Sequence, residues 1–257
     1  MKLGIVGKGG VGKTTVSALI SQAYAARGAR VVAIDTDSNP NLGMSLGMDW
    51  DEMEAVPVMP RALIVGSEGD LTAQEVIEKY GRPTPAGPVL LSAIRVTQAG
   101  SGCTCSGHAT VRNFLGEVLA EEADVTLIDM EAGLEHLSRS GGTLAYADVL
   151  LVVMEPSRKS VITAARTLAL AEELGIPRVY GLGNKARMPE DAEFFAELAA
   201  EYNVPLAGVI PLDPAVADAD RAGSAVTATP PEAVRAALDA VIDLIEGSSV
   251  SDQAPVR

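Results

Sequence analysis

Positive charge is scarce in this chain: its 257 residues hold 20 Lys and Arg against 34 Asp and Glu, a formal net charge of -14. Affinity for nucleic acid comes mainly from Lys and Arg that displace counterions, and no basic run is present, so the composition argues against a nucleic-acid partner. Aromatic residues are sparse at 4% while hydrophobic residues reach 47%, which implies a core of Val, Leu, Ile and Ala packed between sheet and helices. No apolar stretch approaches the roughly 20 residues that cross a bilayer, and Met1 leads straight into a strand pattern without a signal-peptide block. A cytoplasmic protein with no membrane partner is expected. Only two cysteines occur, Cys103 and Cys105. They are too few and too close for a disulfide framework, so a reduced thiol pair is the better reading.

What is present is an alternation of apolar runs and helical periodicities. Lys2 to Val6 reads as a strand ended by Gly7, Thr14 to Arg27 as a helix closed by Gly28, and Arg30 to Ile34 as the next strand. Asp124 to Met130 and Asp148 to Met154 are near-continuous apolar runs, the pattern of parallel strands covered on both faces. The region from Asp37 to Pro60 reads as irregular, Leu71 to Tyr80 as a helix, and Gly81 to Pro88 as a loop before the apolar run Val89 to Val96. Helices over Val161 to Leu174 and Pro189 to Tyr202 alternate with strands over Val179 to Leu182 and Leu206 to Ile210, and a last helix spans Pro231 to Ile245. The expected fold class is α/β, a single domain over residues 1–247 with a mostly parallel sheet and helices on both faces, followed by a flexible tail over 248–257.

Gly7-Lys8-Gly9-Gly10-Val11-Gly12-Lys13-Thr14, followed by Thr15, matches the P-loop pattern and lies between a strand and a helix, the setting that the motif requires. The glycines let backbone N–H groups converge on phosphate oxygens, and the helix adds its positive dipole end. Lys13 is placed to neutralise the β- and γ-phosphates, and the Thr14 hydroxyl to serve as a ligand for Mg²⁺, which prefers oxygen. Asn184-Lys185 follows a late strand, where a side-chain amide can read a purine edge. Arg187 stands where the guanine-specific Asn-Lys-x-Asp motif has its acid, so ATP is expected rather than GTP.

The second lysine in the loop, Lys8, resembles the deviant P-loop of the ATPase family that contains the partition and MinD-type ATPases, nitrogenase iron protein and metal-cluster maturation ATPases. That resemblance implies a homodimer, promoted by ATP or metal, in which Lys8 reaches the partner's nucleotide. It also implies that Asp37, in Asp35-Thr36-Asp37, orients the attacking water with Asp35 near Mg²⁺, and that Asp129 is the acid at the metal. Gly133, in Asp129-Met130-Glu131-Ala132-Gly133, would sense the γ-phosphate. Pro211-Leu212-Asp213 resembles the family's adenine-side loop and serves equally as a helix start.

Cys103 and Cys105 lie in Gly102-Cys103-Thr104-Cys105-Ser106-Gly107-His108, before a helix expected near Ala109. A closed tetrahedral site takes four ligands, so two chains related by a twofold axis could complete a four-thiolate shell for Ni²⁺, Zn²⁺ or an iron–sulfur cluster. The pair could also simply pack at a helix start, and His108 is a possible further ligand. Together with the Met-Glu-Ala-Gly-Leu-Glu-His segment at 130–136, the thiol pair is similar to the CooC-type ATPases that assist nickel insertion into carbon monoxide dehydrogenase. That resemblance implies carbon monoxide dehydrogenase as client. An iron–sulfur carrier, a spatial-organisation ATPase and an amidoligase remain alternatives on the same scaffold. The last helix, with Glu232, Asp239, Asp243 and Glu246 against Arg235, lacks the basic face that anionic lipid requires.

Overall fold

The computed structural model describes residues 1–60, 71–93, 122–133, 144, 146–225 and 230–251. Strands β1 (Lys2–Gly7), β2 (Val31–Asp35), β3 (Arg82–Pro83), β4 (Val89–Ser92), β5 (Val125–Asp129), β6 (Val149–Met154), β7 (Val179–Ala186) and β8 (Leu206–Pro211) form one sheet. Its order is β3-β4-β2-β5-β1-β6-β7-β8. Every pairing is parallel except that of the short edge strand β3 with β4. Every residue of β2, β5 and β6 is buried, which is why these strands read as unbroken apolar runs.

Alternate strand residues face opposite layers. Leu3, Ile5, Leu127, Leu151 and Val153 pack with Val16, Leu19 and Ile20 of α1 (Lys13–Ala26) and with the last helix. Ile34, Ile128, Leu150 and Val152 face the opposite layer. That layer is built by α4 (Ala73–Tyr80), α5 (Arg158–Glu173) and α6 (Pro189–Glu201). Helix α1 ends because Gly28 takes a positive φ of 86°, letting the Gly28 and Ala29 N–H groups close on Ala25 and Tyr24. Asn203, at φ 54°, ends α6 in the same way.

Several elements differ from the sequence pattern. The stretch expected to be irregular contains two short helices, α2 (Leu42–Ser45) and α3 (Trp50–Glu54). The second is nucleated by a reciprocal capping box between Asp49 and Glu52, a local signal that apolar periodicity does not carry. The loop before β4 contributes β3, whose two residues are too short to show alternation. Helix α5 starts at Arg158, capped by the Ser157 hydroxyl, ahead of its first apolar residue. After α7 (Pro214–Arg221), the last helix, α8 (Glu232–Ser251), continues past the apolar pattern, since propagation adds a hydrogen bond for each residue fixed. Among the described residues, no helix is long and apolar enough to cross a membrane.

Strand β1 stands between β5 and β6: the chain leaves it toward β2 on one side and later crosses past it from β5 to β6 on the other. The carboxyl ends of the strands on both sides therefore surround one crevice, the place where open parallel sheets bind ligands.

Candidate phosphate and nucleotide site

The loop from Gly7 to Gly12 crosses that crevice. A Cβ at Gly7 would lie 2.5 Å from the Val153 carbonyl oxygen, and Gly7 holds a φ of 150°. Gly12 caps α1 in the left-handed region, φ 94° and ψ 34°, and offers no side-chain cap. The first-turn N–H groups of α1 thus have neither an intrahelical acceptor nor a capping oxygen, which leaves them to an anion.

Two side chains from β7 fix the loop from behind. Asn184 Nδ2 donates to the Val11 carbonyl at 2.8 Å, and Lys185 Nζ donates to the Gly10 carbonyl at 2.6 Å. Across a trans peptide the C=O of one residue and the N–H of the next point in opposite directions. Drawing the Gly10 and Val11 carbonyls toward β7 therefore turns the Val11 and Gly12 N–H groups into the phosphate concavity. Lys185 adopts a φ of 62° to make this contact, where β7 and β8 shift register. Asn184, expected from sequence to read the base, has one of its two amide N–H groups committed to the loop and lies in the wall of the adjoining cavity.

Lys13 is 8% exposed, and its Nζ donates to the Lys8 carbonyl at 3.4 Å. Burial pushes its pKa down, against the opposing charges of Asp129, Asp37 and Glu131. Lys8 is exposed at the start of the loop. Asp35 and Asp129 stand opposite each other in the β2–β5 register, both buried. Burial and the neighbouring Asp35 charge raise Asp129 to about 7, while hydrogen bonds from Thr14 and Ser17 work the other way. The Ser17 hydroxyl donates to Asp129 Oδ1 at 2.9 Å. Asp35 is raised to about 6, mainly by burial, with the charge of Asp37 adding to it. Its two oxygens accept the N–H groups of Asp37, Asn41 and Leu42, each at 3.0 Å, so it anchors the loop after β2. Asp37 itself is half-buried beyond the strand end. The Thr14 hydroxyl and Asp129 carboxylate form an oxygen donor set that suits Mg²⁺, and a divalent cation would relieve the crowding of two buried carboxylates.

A cavity of about 360 Å³ opens beside Gly12 and Thr15, with Leu19, Asn184, Pro211, Leu212 and Val216 among its walls. Lys185, Arg187 and Asp213 border it as well. It combines apolar walls with a few polar groups and adjoins the anion site, as a purine pocket requires. The Asp213 side chain also caps α7, the helix start that the sequence offers as one of two readings of Pro211-Leu212-Asp213. Cys103, Cys105 and His108, with the helix expected near Ala109, lie outside the described residues. Among the described residues there is no group of three or more potential metal ligands. Sequence reasoning missed Ser17, although it falls one helical turn after Lys13, and the Ser38–Glu131 hydrogen bond that joins the two loops beyond β2 and β5.

Residues 5–226 match the CobQ/CobB/MinD/ParA nucleotide binding domain. The carbon monoxide dehydrogenase accessory protein CooC of Rhodospirillum rubrum is 37% identical over 237 residues, covering 87% of this chain and 88% of that protein. An iron-sulfur cluster carrier protein of Saccharolobus solfataricus is 27% identical over 235 residues, covering 86% of this chain and 74% of that one. In three dimensions the chain is similar to the septum site-determining protein MinD of Pyrococcus horikoshii, solved with Mg-ADP. The TM-score is 0.72 at 22% identity, with 99% of each chain covered.

Proposed function

The chain belongs to the CobQ/CobB/MinD/ParA family of nucleotide-binding domains and is a P-loop ATPase, and from that premise we propose that it serves nickel insertion into carbon monoxide dehydrogenase. The observation that carries this reading is the likeness to CooC over nearly the whole chain, joined to the Cys103 and Cys105 pair.

In this reading ATP enters with its base in the cavity beside Leu212 and its phosphates against the loop and Lys13. Thr14 and Asp129 would hold Mg²⁺, which would supply positive charge to the phosphate oxygens, and Asp35 contributes its charge from behind. Asp37 orients a water whose oxygen bonds to the γ-phosphorus as the bond to the β–γ bridging oxygen breaks, giving ADP and phosphate. Lys13, already desolvated, interacts with the charge that spreads over the transferred group more strongly than an exposed ammonium would. Lys8 acts on the nucleotide of a second copy, so ATP favours a homodimer. The dimer joins two thiol pairs into one site for the nickel cargo, and the nucleotide state sets how tightly that site holds it.

The likeness to an iron-sulfur cluster carrier favours, as second reading, a cluster in place of nickel at the same thiols. A spatial-organisation role has behind it the fold similarity and a sequence likeness to a putative septum site-determining protein MinD of Guillardia theta, 32% identical over 215 residues. The acidic residues Asp239 and Asp243 of α8 are bound to Arg27 rather than replaced by a lipid-binding basic face.

Anaerobic Ni²⁺ titration with mass-resolved sedimentation tests the proposal. One ion per two chains is expected, lost when Cys103 and Cys105 are both changed to Ser while ATP still binds. Tight Ni²⁺ binding by the double-Ser protein overturns it. Iron and sulfide in stoichiometric amounts after anaerobic purification would establish the carrier reading in its place.

A further inference from the structure

Two loops leave the sheet side by side at the phosphate end, and they are joined at successive rungs. Asp35 and Asp129 oppose each other in register at the strand ends. One residue further on, Thr36 donates both its N–H, at 3.0 Å, and its hydroxyl, at 2.8 Å, to the Asp129 carbonyl. Beyond the last backbone rung, the Ser38 hydroxyl donates to Glu131 Oε1 at 2.9 Å in a partly buried setting. Asp37 therefore sits between two residues that are each tied to the loop after β5. Among the described residues, its carboxylate is steadied locally, by the Asn39 N–H at 2.9 Å.

The geometry of these rungs divides the labour. Thr36 fixes where the loop departs, through its backbone N–H and its hydroxyl together. Asp35 holds the N–H groups of Asp37, Asn41 and Leu42 from below, and the Ser38 hydroxyl adds the side-chain tie that couples this loop to position 131. Glu131 lies midway between Asp129 and Gly133, so a shift of that segment toward a bound phosphate carries Ser38 with it.

We propose that Glu131 is a positioning residue for hydrolysis, acting through Ser38 to set Asp37 against the water as the loop ending at Gly133 responds to nucleotide. The inference rests on the assignment of Asp37 as the water-orienting carboxylate. Glu131 acts as a hydrogen-bond acceptor, so an amide oxygen at 131 fulfils the role.

Single-turnover hydrolysis, ATP affinity and amide hydrogen exchange of residues 36–41 test it. Ser38→Ala and Glu131→Ala are each expected to slow hydrolysis about tenfold, the effect of one lost hydrogen bond, with ATP affinity held within about twofold. The double variant should fall no further than Glu131→Ala alone, because that change already removes the acceptor of the Ser38 hydroxyl. Ser38→Thr and Glu131→Gln should recover most of the rate. In nucleotide-free protein, exchange over 36–41 should quicken in both alanine variants. Additive losses, or a Glu131→Gln protein as slow as Glu131→Ala, would overturn the proposal. Asp37→Ala separates the two levels. If it hydrolyses normally, the assignment of Asp37 fails and the inference with it; if it is inactive while the Ser38 and Glu131 variants are not, the inference alone fails.

Discussion

Replacing Lys185 with Met isolates the rear fastening of the phosphate loop, because Met keeps most of the aliphatic stem beside the base cavity and removes the donor. The lost contact is an ammonium-to-carbonyl hydrogen bond of 2.6 Å. Hydrogen bonds involving a charged partner contribute about 1.5–3 kcal/mol, and solvent access at this half-buried side chain brings the expectation down to about 1 kcal/mol. The left-handed backbone at φ 62° is unfavourable for any residue with a Cβ, so Lys185→Gly relieves strain of about 1 kcal/mol while losing the same contact. Affinities for ADP and for adenosine, measured by calorimetry or by displacement of a fluorescent nucleotide, read the two parts of the site separately. Lys185→Met should weaken ADP about fivefold and leave adenosine within error, since only ADP uses the N–H groups that the clamp aims. Lys185→Gly should show the same selective loss of ADP with equal or higher thermal stability. Parallel losses for ADP and adenosine, or an unchanged ADP affinity in folded Lys185→Met protein, would refute the argument that the carbonyl contacts orient the loop.

Lys8→Ala should retain ATP binding but lose ATP-promoted dimers in sedimentation, whereas Asp37→Ala should keep the dimer and slow hydrolysis; dimers of equal strength in both would reject the intersubunit role. The two buried carboxylates titrate above their ordinary range, Asp129 at about 7 and Asp35 at about 6, so the folded chain binds extra protons between about pH 4 and 7 and loses that contribution to stability as pH rises through this window. Nucleotide-free protein should therefore melt higher at pH 5.5 than at pH 8 by a margin that shrinks in Asp129→Asn, and an unchanged margin would show that other groups cause it.

Much of this architecture was legible because burial on both faces writes strands as unbroken apolar runs. The P-loop was legible because anion binding needs glycine, lysine and threonine in a fixed order. Strand β7 was underestimated at its carboxyl end, where polar Asn184 and Lys185 break the apolar signal while the backbone still pairs with β8. The clamp they form was hidden for a related reason: a side-chain amide next to a nucleotide suggests the base, and the sequence carries no sign that one of its N–H groups meets the Val11 carbonyl. Asp35 and Asp129 were recognisable as acids at strand ends. Their crowding was not, because strand order, unlike strand identity, leaves no local mark on the sequence. Ser38 and Glu131 are ordinary polar residues 93 positions apart, and nothing short of the sheet register brings them together.

The glycines of the phosphate loop also bear on where this chain is free to change by descent. At position 7 any side chain would run into the backbone carbonyl of Val153, which no substitution elsewhere can remove. At position 12 it would strike the Asn184 amide at 2.6 Å, and the φ of 94° would strain any side chain there even with room for it. Position 8 is exposed, and a Cβ at position 9 would meet only Ala132, at 3.8 Å. The tip of the loop is thus where new chemistry can be introduced without disturbing the cradle. A lysine at position 8, with its reach toward another molecule, is the kind of novelty that a lineage could acquire in one step.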